Sequence, residues 1–426
     1  MLNGPAENTA PFTLFASLLR SSALRAAAAL GLSGLALACG NLMLARALPA
    51  VELARFALLF SIVQIGISIG PIGADVILAR GRFAPTAKLH GQILLTSAAT
   101  AAILVSISAR MYSLPADLLA TILLSIVAGS IKTLAVAHFR SLQRFGTALM
   151  LTVTTNAAVF LASTITVLAH WSSALLPAAT MAVSLALTAV VAWRAVANAE
   201  PDDGATVPYT WSERWSAVNF VSASMILASL DRLVTPRLLG LPQLATFTVL
   251  ATIAGSPFQM LQLGVGYTLL PALRGASDTK RRRQVFANEA LAIGATCLAA
   301  VIAVWWLTPF ILTRVLAGRY EIAWPLLLAA VAVGFLKVIA ALVAAVVNAL
   351  GSAHELLRLS VIGWLSVAVG LFGGGFGARW GLAGLVFGVG SGWLFRVVAT
   401  AWLAAPHLRA TSPAPSSAAV NGRSEG

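Results

Sequence analysis

The sequence predicts an all-helical membrane protein of about twelve transmembrane helices, arranged as two six-helix lobes that repeat one another in parallel around a central cavity. The 426 residues are 59% hydrophobic and only 10% charged, with a mean hydropathy of +0.89, which is too apolar for a water-soluble protein of this size. Twelve apolar stretches are each long enough to cross about 30 Å of hydrocarbon as a helix. The segment 46–56 also recurs 191 residues later, at 237–247, with five of eleven positions identical.

The apolar stretches divide evenly around a polar break. Because each half has an even number of spans, both halves enter the membrane from the same side, which gives parallel repeats. We therefore expect an N-lobe at 21–194, a linker at 195–214 and a C-lobe at 215–405, with disordered cytoplasmic ends at 1–20 and 406–426. In order, the predicted spans are 24–45, 54–79, 90–109, 115–137, 147–169, 172–194, 215–238, 243–270, 287–312, 323–349, 357–377 and 380–404.

The formal net charge of +14 does not indicate a nucleic-acid partner, because the charges follow the spans. With the N-terminus in the cytoplasm, seventeen Lys and Arg residues lie at or beyond inner ends of spans and seven at or beyond outer ends. This bias predicts that both termini are cytoplasmic. The basic run 280–283 lies in an inner loop, where anchoring to anionic membrane lipids is its simplest interpretation.

No motif indicates an enzyme, a metal site or a bound cofactor. The sequence has no phosphate-binding Gly-x-x-x-x-Gly-Lys-Ser/Thr motif and no His-Glu-x-x-His, and its five histidines are scattered. Cys39 and Cys297 both lie in apolar stretches and predict no disulfide. The connections between spans are too short to fold as a soluble domain. The glycine cluster at 373–377 predicts a close contact between helices rather than a phosphate loop.

Polar residues recur on one face of the second span. At spacings of four, three and four residues they are Gln64, Ser68, Pro71 and Asp75. The 191-residue offset places a matching polar face on the eighth span, formed by Gly255, Gln259, Gln262 and Gly266. We expect both faces to line a water-filled cleft between the lobes, with Gln64, Ser68, Gln259 and Gln262 in contact with substrate. Helix packing alone is the alternative.

Lys337 is the ionisable residue placed deepest in a predicted span. It shares a helix face with small and polar residues, including Gly334, Ala344 and Asn348. A charge at the bilayer centre costs about 2.5 to 3.5 kcal/mol on insertion scales, so we expect Lys337 and Asn348 to line the cavity. A structural ion pair is the alternative for Lys337. The 191-residue offset places Gly146 opposite it, which predicts no counterpart of this charge in the first half.

Four further charges in or near the spans leave alternatives open. Asp231 lies on a small, polar helix face and is, with Asp75, a candidate for coupling to H⁺ or Na⁺; static pairing with a nearby arginine is the alternative. Arg232 either lines the cavity or extends to the outer interface. We expect Lys132 and Arg396 to extend towards the inner interface, with cavity lining as the alternative.

Several sequence blocks resemble bacterial polysaccharide flippases of the Wzx type, which belong to the multidrug/oligosaccharidyl-lipid/polysaccharide (MOP) exporter superfamily. The resemblance covers nearly the whole chain. In the first half its motifs are Arg46-x-Leu-Pro-x-x-x-x-Ala-x-Phe56, Gly70-x-x-Gly73-Ala-Asp75 and Arg80. In the second half they are Asp231-Arg-Leu, Leu239-Gly240 through Phe247, Leu270-Pro271-Ala-Leu, Leu350-Gly351 and Trp380-Gly381-Leu-Ala-Gly384. The chain departs from the usual Gly-Leu/Tyr pair, with Leu53-Ala54 and Leu244-Ala245 lacking the glycine.

The resemblance implies a multidrug-exporter-like fold in a bacterial inner membrane and alternating access of the two lobes. It implies that a polyprenyl-pyrophosphate-linked oligosaccharide is flipped to the periplasmic leaflet for exopolysaccharide or lipopolysaccharide biosynthesis. Lys337, Arg232 and Lys132 would hold the pyrophosphate or acidic sugars, and a polysaccharide polymerase and glycosyltransferases would be partners. The alternatives are an ion-coupled multidrug or metabolite exporter of the same fold and, less favoured, a membrane polymerase or ligase of lipid-linked sugars.

Overall fold

The computed structural model describes residues 22–80, 87–142, 144–197, 211–276 and 278–409. The N-terminal segment 1–20, most of the linker 195–214 and the tail from 410 onwards lie outside the described residues, so their predicted disorder stays a prediction. At the boundary of the predicted tail, residues 406–409 continue the last helix, which ends at Arg409. The last helix is therefore longer than the sequence indicated.

The all-helical fold class is confirmed, and each predicted span corresponds to a helix or a broken pair of helices. Within the described residues, ten helical stretches are long and apolar enough to cross a membrane. The last of them, His354–Arg409, contains two helices, and Gly31–Ala47 is a shorter apolar part of the first helix. The helices are α1 Ser22–Ala47, α2 Ala50–Ile69, α3 Ala74–Arg80, α4 Ala87–Tyr112, α5 Ala116–Ser141, α6 Phe145–Leu168, α7 Leu175–Ala197, α8 Trp211–Leu238, α9 Leu241–Leu250, α10 Ser256–Gly275, α11 Thr279–Phe310, α12 Trp324–Leu350, α13 Ala353–Gly377 and α14 Gly381–Arg409.

The two halves repeat the same pattern of helix packing. In the first half α1 packs on α6 and α5 packs on α7; in the second half α8 packs on α13 and α12 packs on α14. The pairs α2 with α5 and α10 with α12 also correspond. The internal repeat seen in the sequence is therefore a repeat of tertiary packing, with α1–α7 forming one lobe and α8–α14 the other.

The lobes meet where the repeated segments lie. Helix α2 packs against both α8 and α9. Leu53 and Phe56 of α2 belong to the same buried apolar cluster as Leu244 and Phe247 of α9, and these are the matching positions of the two copies. The residues that recur in sequence thus help to join the lobes.

The glycine cluster at 373–377 forms the close helix contact that the sequence predicted. Gly373 lies against the backbone of Gly388, and Gly377 lies against the backbone of Gly384, so neither site has room for a Cβ atom. Helices α13 and α14 therefore approach backbone to backbone.

The second span is interrupted, and this corrects one expectation. After α2 ends at Ile69, Ile72 and Gly73 adopt positive φ values of 46° and 69°, and α3 begins at Ala74. Asp75 is therefore not on the same helix as Gln64 and Ser68, so its spacing from them does not place it on their helix face. Pro71, which cannot continue the hydrogen-bond ladder, lies in the break.

Candidate functional site

Three helices bring charged and aromatic residues together inside the C-lobe. The Nζ atom of Lys337 on α12 lies 3.9 Å from Oδ2 of Asp231 on α8 and 5.4 Å from the centre of the Trp393 ring on α14. Asp231 and Trp393 are each 2% exposed, whereas the Lys337 side chain is 25% exposed. The ion pair considered for Lys337 is thus present, and the lysine side chain is not fully enclosed.

Arg396 belongs to the same cluster. Its guanidinium lies 5.7 Å from the Trp393 ring centre and 5.6 Å from that of Phe220, and its Nη2 donates a 2.7 Å hydrogen bond to the Ser224 hydroxyl. Arg396 is only 5% exposed. The expectation that Arg396 extends to the inner interface was therefore wrong, because Ser224 and two aromatic rings hold it inside the lobe.

The N-lobe contains a second buried cation. Lys132 on α5 is 7% exposed, and its Nζ contacts the Thr155 hydroxyl on α6. The neighbouring Asn156 amide donates a 2.9 Å hydrogen bond to the Ser33 hydroxyl on α1. The expected extension of Lys132 to the inner interface was also wrong, because its partner lies within the helix bundle. No ion pair involves Lys132 among the residues that the structure describes.

Two glycine contacts show how the lobes superimpose. Ile67 of α2 packs directly on Gly129 of α5, and the Phe258 ring of α10 packs directly on Gly334 of α12. Ile67 and Phe258 are separated by the 191 residues of the sequence repeat. Gly129 and Gly334 are therefore equivalent positions in the two lobes.

This equivalence makes the two buried lysines counterparts. Lys132 follows Gly129 by three residues, and Lys337 follows Gly334 by three residues. The expectation that Lys337 has no counterpart in the first half was wrong. The stretch of chain from the second span to the fourth is longer in the second half than in the first, so equivalent positions of the fourth spans are more than 191 residues apart. Each lobe thus has a lysine at the same position of its fourth span, although the partners lie on non-equivalent helices: the Thr155 hydroxyl on α6 for Lys132 and the Asp231 carboxylate on α8 for Lys337.

The predicted polar stripes are only partly buried. Gln64 and Ser68 are the half-exposed positions within the otherwise buried stretch 61–68, and the Ser68 hydroxyl donates to the backbone carbonyl of Gln64. On α10, Gln259 is exposed and Gln262 half-buried. Their role in contacting a substrate stays a prediction.

The remaining candidates are Asp75, Arg232 and Asn348. The Asp75 Oδ1 atom is buried without a hydrogen-bond partner among the described residues. Arg232 is half-buried and close enough to Asp231 to interact with it electrostatically. The side chain of Asn348 is half-buried, and its backbone carbonyl accepts a 3.3 Å hydrogen bond from Arg274. Ion coupling at Asp75 and Asp231 stays a prediction.

Four of the hydrogen bonds between the lobes lie at one end of the bundle, which we call the latch end and define by residues 45–48 and 315–320. Two others lie outside these segments, from the Tyr112 hydroxyl to the Leu233 carbonyl and, at the opposite end of the spans, from Arg214 Nε to the Ile72 carbonyl. The sequence predicts the latch end to be periplasmic. Arg319 donates to the carbonyls of Arg46 and Leu48, and Arg46 in return donates to the Val315 carbonyl. The Tyr320 hydroxyl donates to the Ala45 carbonyl. Every acceptor is a backbone carbonyl, so these bonds join the end of α1 and the residue that follows it to the segment 315–320.

Sequence reasoning missed Trp393 and Thr155, and it gave Arg396 the wrong environment. Trp393 is one of eleven tryptophans and lies in an apolar stretch, where an aromatic residue draws no attention. The signal that could have found it was spacing, since Trp393, Arg396 and Thr400 recur at three and four residues and share a helix face.

The fold is shared with structurally known transporters. No protein-family model matches the sequence, and neither does any curated protein. An inward-facing multidrug resistance MATE family transporter of the MOP superfamily superimposes with a TM-score of 0.63, at 13% identity over 88% of this chain and 94% of that chain. The lipid II flippase MurJ, in an inward closed conformation, gives 0.65 at 10% identity over 89% and 87%. This chain has the fold of these proteins.

A third similar structure is the MATE multidrug transporter DinF-BH, with a TM-score of 0.60 and 15% identity over 94% of this chain and 98% of that chain. The MATE-like fold expected from the sequence is thus confirmed. At these identities the likeness concerns the fold, and cargo must be argued from the residues of this chain.

Proposed function

We propose that this protein is a membrane transporter that flips a polyprenyl-pyrophosphate-linked oligosaccharide across a bacterial inner membrane, by alternating access of its two lobes and without enzymatic chemistry. The observation that carries this proposal is the matched placement of Lys132 and Lys337 in the two lobes. Buried cations are costly in a membrane and are usually retained for function. An anionic cargo supplies a reason for both.

The balance of charge also supports an anionic cargo. Among the described residues, the surroundings of the two lysines contain three cations, Lys132, Lys337 and Arg396, and the carboxylate of Asp231, while the buried Asp75 carboxylate oxygen lies outside both clusters. A pyrophosphate group or acidic sugar would compensate the excess positive charge. The partial exposure of the Lys337 side chain makes it the residue best placed for first contact.

The fold supports transport by moving lobes. The repeat joins two similar bundles through α2, α8 and α9, an arrangement that permits rocking of one bundle against the other. Similar structures include both a lipid II flippase and multidrug transporters, so the fold is compatible with a lipid-linked cargo.

The test is a Lys337→Ala variant in a strain that requires this gene for surface polysaccharide. We expect polymer output to fall about tenfold or more at equal membrane levels of the protein, and Lys337→Arg to restore part of it because the charge is kept. Lys280→Ala is the matched control, since Lys280 is exposed. Normal polymer output from Lys337→Ala would rule out this role.

The alternative is an ion-coupled multidrug exporter, which the buried Asp231 carboxylate and the Trp393 ring favour. Both the carboxylate and the ring contact Lys337, and a carboxylate and an aromatic face within one cluster are suited to an organic cation. This alternative predicts that the protein confers resistance to cationic drugs and that Asp231→Asn abolishes it, with surface polysaccharide unchanged. Drug resistance and polymer output measured in the same strains separate the two functions.

A further inference from the structure

We propose that the interior of the C-lobe contains a binding site for a phosphate-type oxyanion, formed by Arg396, Trp393 and Thr400, with Lys337 at its accessible edge. The anion is either the pyrophosphate of a lipid-linked sugar or a free phosphate, and only this choice of source rests on the proposed function. The site itself rests on unpartnered polar atoms and their surroundings.

Three polar atoms on one face of α14 are buried without a hydrogen-bond partner among the described residues. They are Nε1 of Trp393, Nη1 of Arg396 and Oγ1 of Thr400. Trp393 and Arg396 are at least 95% buried. An unpaired buried donor costs about 1 to 3 kcal/mol, and buried polar groups are satisfied in the great majority of cases. Three unpaired groups at spacings of three and four residues therefore indicate that an acceptor binds there.

The charges favour an anion over a water molecule. Lys337 and Arg396 both lie within 6 Å of the same indole ring, so two positive charges converge on Trp393. Asp231 balances one of them through its contact with Lys337, and Arg232 beside it adds a further positive charge. Arg396 forms no ion pair among the described residues, and Ser224 occupies only its Nη2.

The donor set matches a tetrahedral oxyanion. A guanidinium, an indole N–H, a hydroxyl and an ammonium are all hydrogen-bond donors, and charge-assisted bonds from Arg to phosphate are among the stronger ones. The Phe220 and Trp393 rings beside Arg396 restrict its movement and keep Nη1 available. An organic cation would instead be repelled by Arg396.

The experiment measures thermal unfolding of the purified full-length protein in nanodiscs at constant ionic strength. The probes are inorganic phosphate, inorganic pyrophosphate and a polyprenyl monophosphate incorporated in the bilayer, with chloride as the reference salt. We expect at least one phosphate probe to raise the unfolding temperature in a saturable manner. Arg396→Gln should weaken the apparent affinity about tenfold or more.

Matched variants distinguish binding from general effects. Trp393→Phe and Thr400→Val each remove one polar group and retain most of the side-chain shape, so they should weaken binding less than Arg396→Gln and carry the test if that variant fails to fold. Arg358→Gln, at an exposed arginine, should bind as the wild type does. Equal stabilisation of all variants, or no stabilisation of the wild type by any phosphate probe, would overturn the site.

The probes also separate this proposal from the proposed function. Stabilisation by polyprenyl phosphate that requires Arg396 supports the site and identifies a lipid-linked source. Stabilisation by inorganic phosphate or pyrophosphate alone supports the site with a free anion as its ligand, and leaves the proposed cargo to be decided by polymer output in the Lys337 strains. Loss of polymer output in those strains without phosphate binding at Arg396 supports the flippase function and refutes the C-lobe site.

Discussion

Arg319→Ala should release the latch end and shift the protein towards a state in which the lobes separate there. The Arg319 guanidinium supplies two of the hydrogen bonds that join the lobes, to the carbonyls of Arg46 and Leu48. The bonds from Arg46 to Val315 and from Tyr320 to Ala45 remain in the variant. The substitution therefore weakens the latch without removing it.

The size of the shift follows from the bonds lost. Each hydrogen bond contributes about 0.5 to 1.5 kcal/mol net, so the loss of two favours separation by about 1 to 3 kcal/mol. Since about 1.4 kcal/mol corresponds to a factor of ten, the population ratio of separated to joined lobes should rise about fivefold to 150-fold. Arg319 is exposed, which places the expected value in the lower part of this range.

The assay is labelling of a cysteine introduced in place of Leu53, in a protein with Cys39 and Cys297 replaced by alanine. Leu53 is fully buried where α2 meets α9. A membrane-impermeant maleimide is applied to intact cells. If the latch end is periplasmic, Arg319→Ala should speed labelling of this cysteine in proportion to the population shift. Vesicles of opposite orientation should show slow labelling.

Arg314→Ala is the matched control, because Arg314 is exposed in the segment Ile311–Val315 and makes no hydrogen bond or ion pair among the described residues. Its labelling rate should equal that of the parent. Equal rates for Arg319→Ala and the parent, at equal protein levels, would show that the latch bonds do not set the conformational balance.

Three further predictions concern the lobes separately. Gly388→Leu should lower the unfolding temperature strongly or prevent accumulation of the protein, because Gly388 meets Gly373 backbone to backbone. Gly375→Leu should be tolerated, because nothing lies near that glycine. A Gly388 variant as stable as the Gly375 variant would refute the close contact. Thr155→Val removes the hydroxyl that contacts Lys132 and should destabilise the N-lobe by about 1 to 3 kcal/mol in denaturant unfolding. Thr164→Val, at a half-buried residue whose hydroxyl makes an exposed hydrogen bond to its own helix, should cost less than about 0.5 kcal/mol. Asp231→Asn leaves Lys337 without its carboxylate partner. If Asp231 is the coupling residue, this variant should abolish the dependence of transport on the ion gradient. Full, gradient-sensitive transport by this variant would leave Asp231 with a static role.

Local sequence patterns were sufficient for the helices but not for their breaks. Apolar length and polar loops located each span, because crossing hydrocarbon imposes a local requirement on every helix. The break at residues 70–73 was not foreseen, because the helical spacing of Gln64, Ser68 and Asp75 continues through it. Positive φ values at Ile72 and Gly73 end the helix and separate Asp75 from the stripe.

By itself, then, the sequence determined the positions of the apolar spans, their division into two parallel halves and the presence of costly charges inside the spans. Only the tertiary structure decided which charges meet. The pairing of Asp231 with Lys337, the enclosure of Arg396 between two rings and the equivalence of Lys132 with Lys337 all depend on how helices from distant parts of the chain rotate and pack. The hydrophobic requirement acts on each span alone, whereas these contacts join α8, α12 and α14 within one lobe and relate α5 to α12 across the repeat.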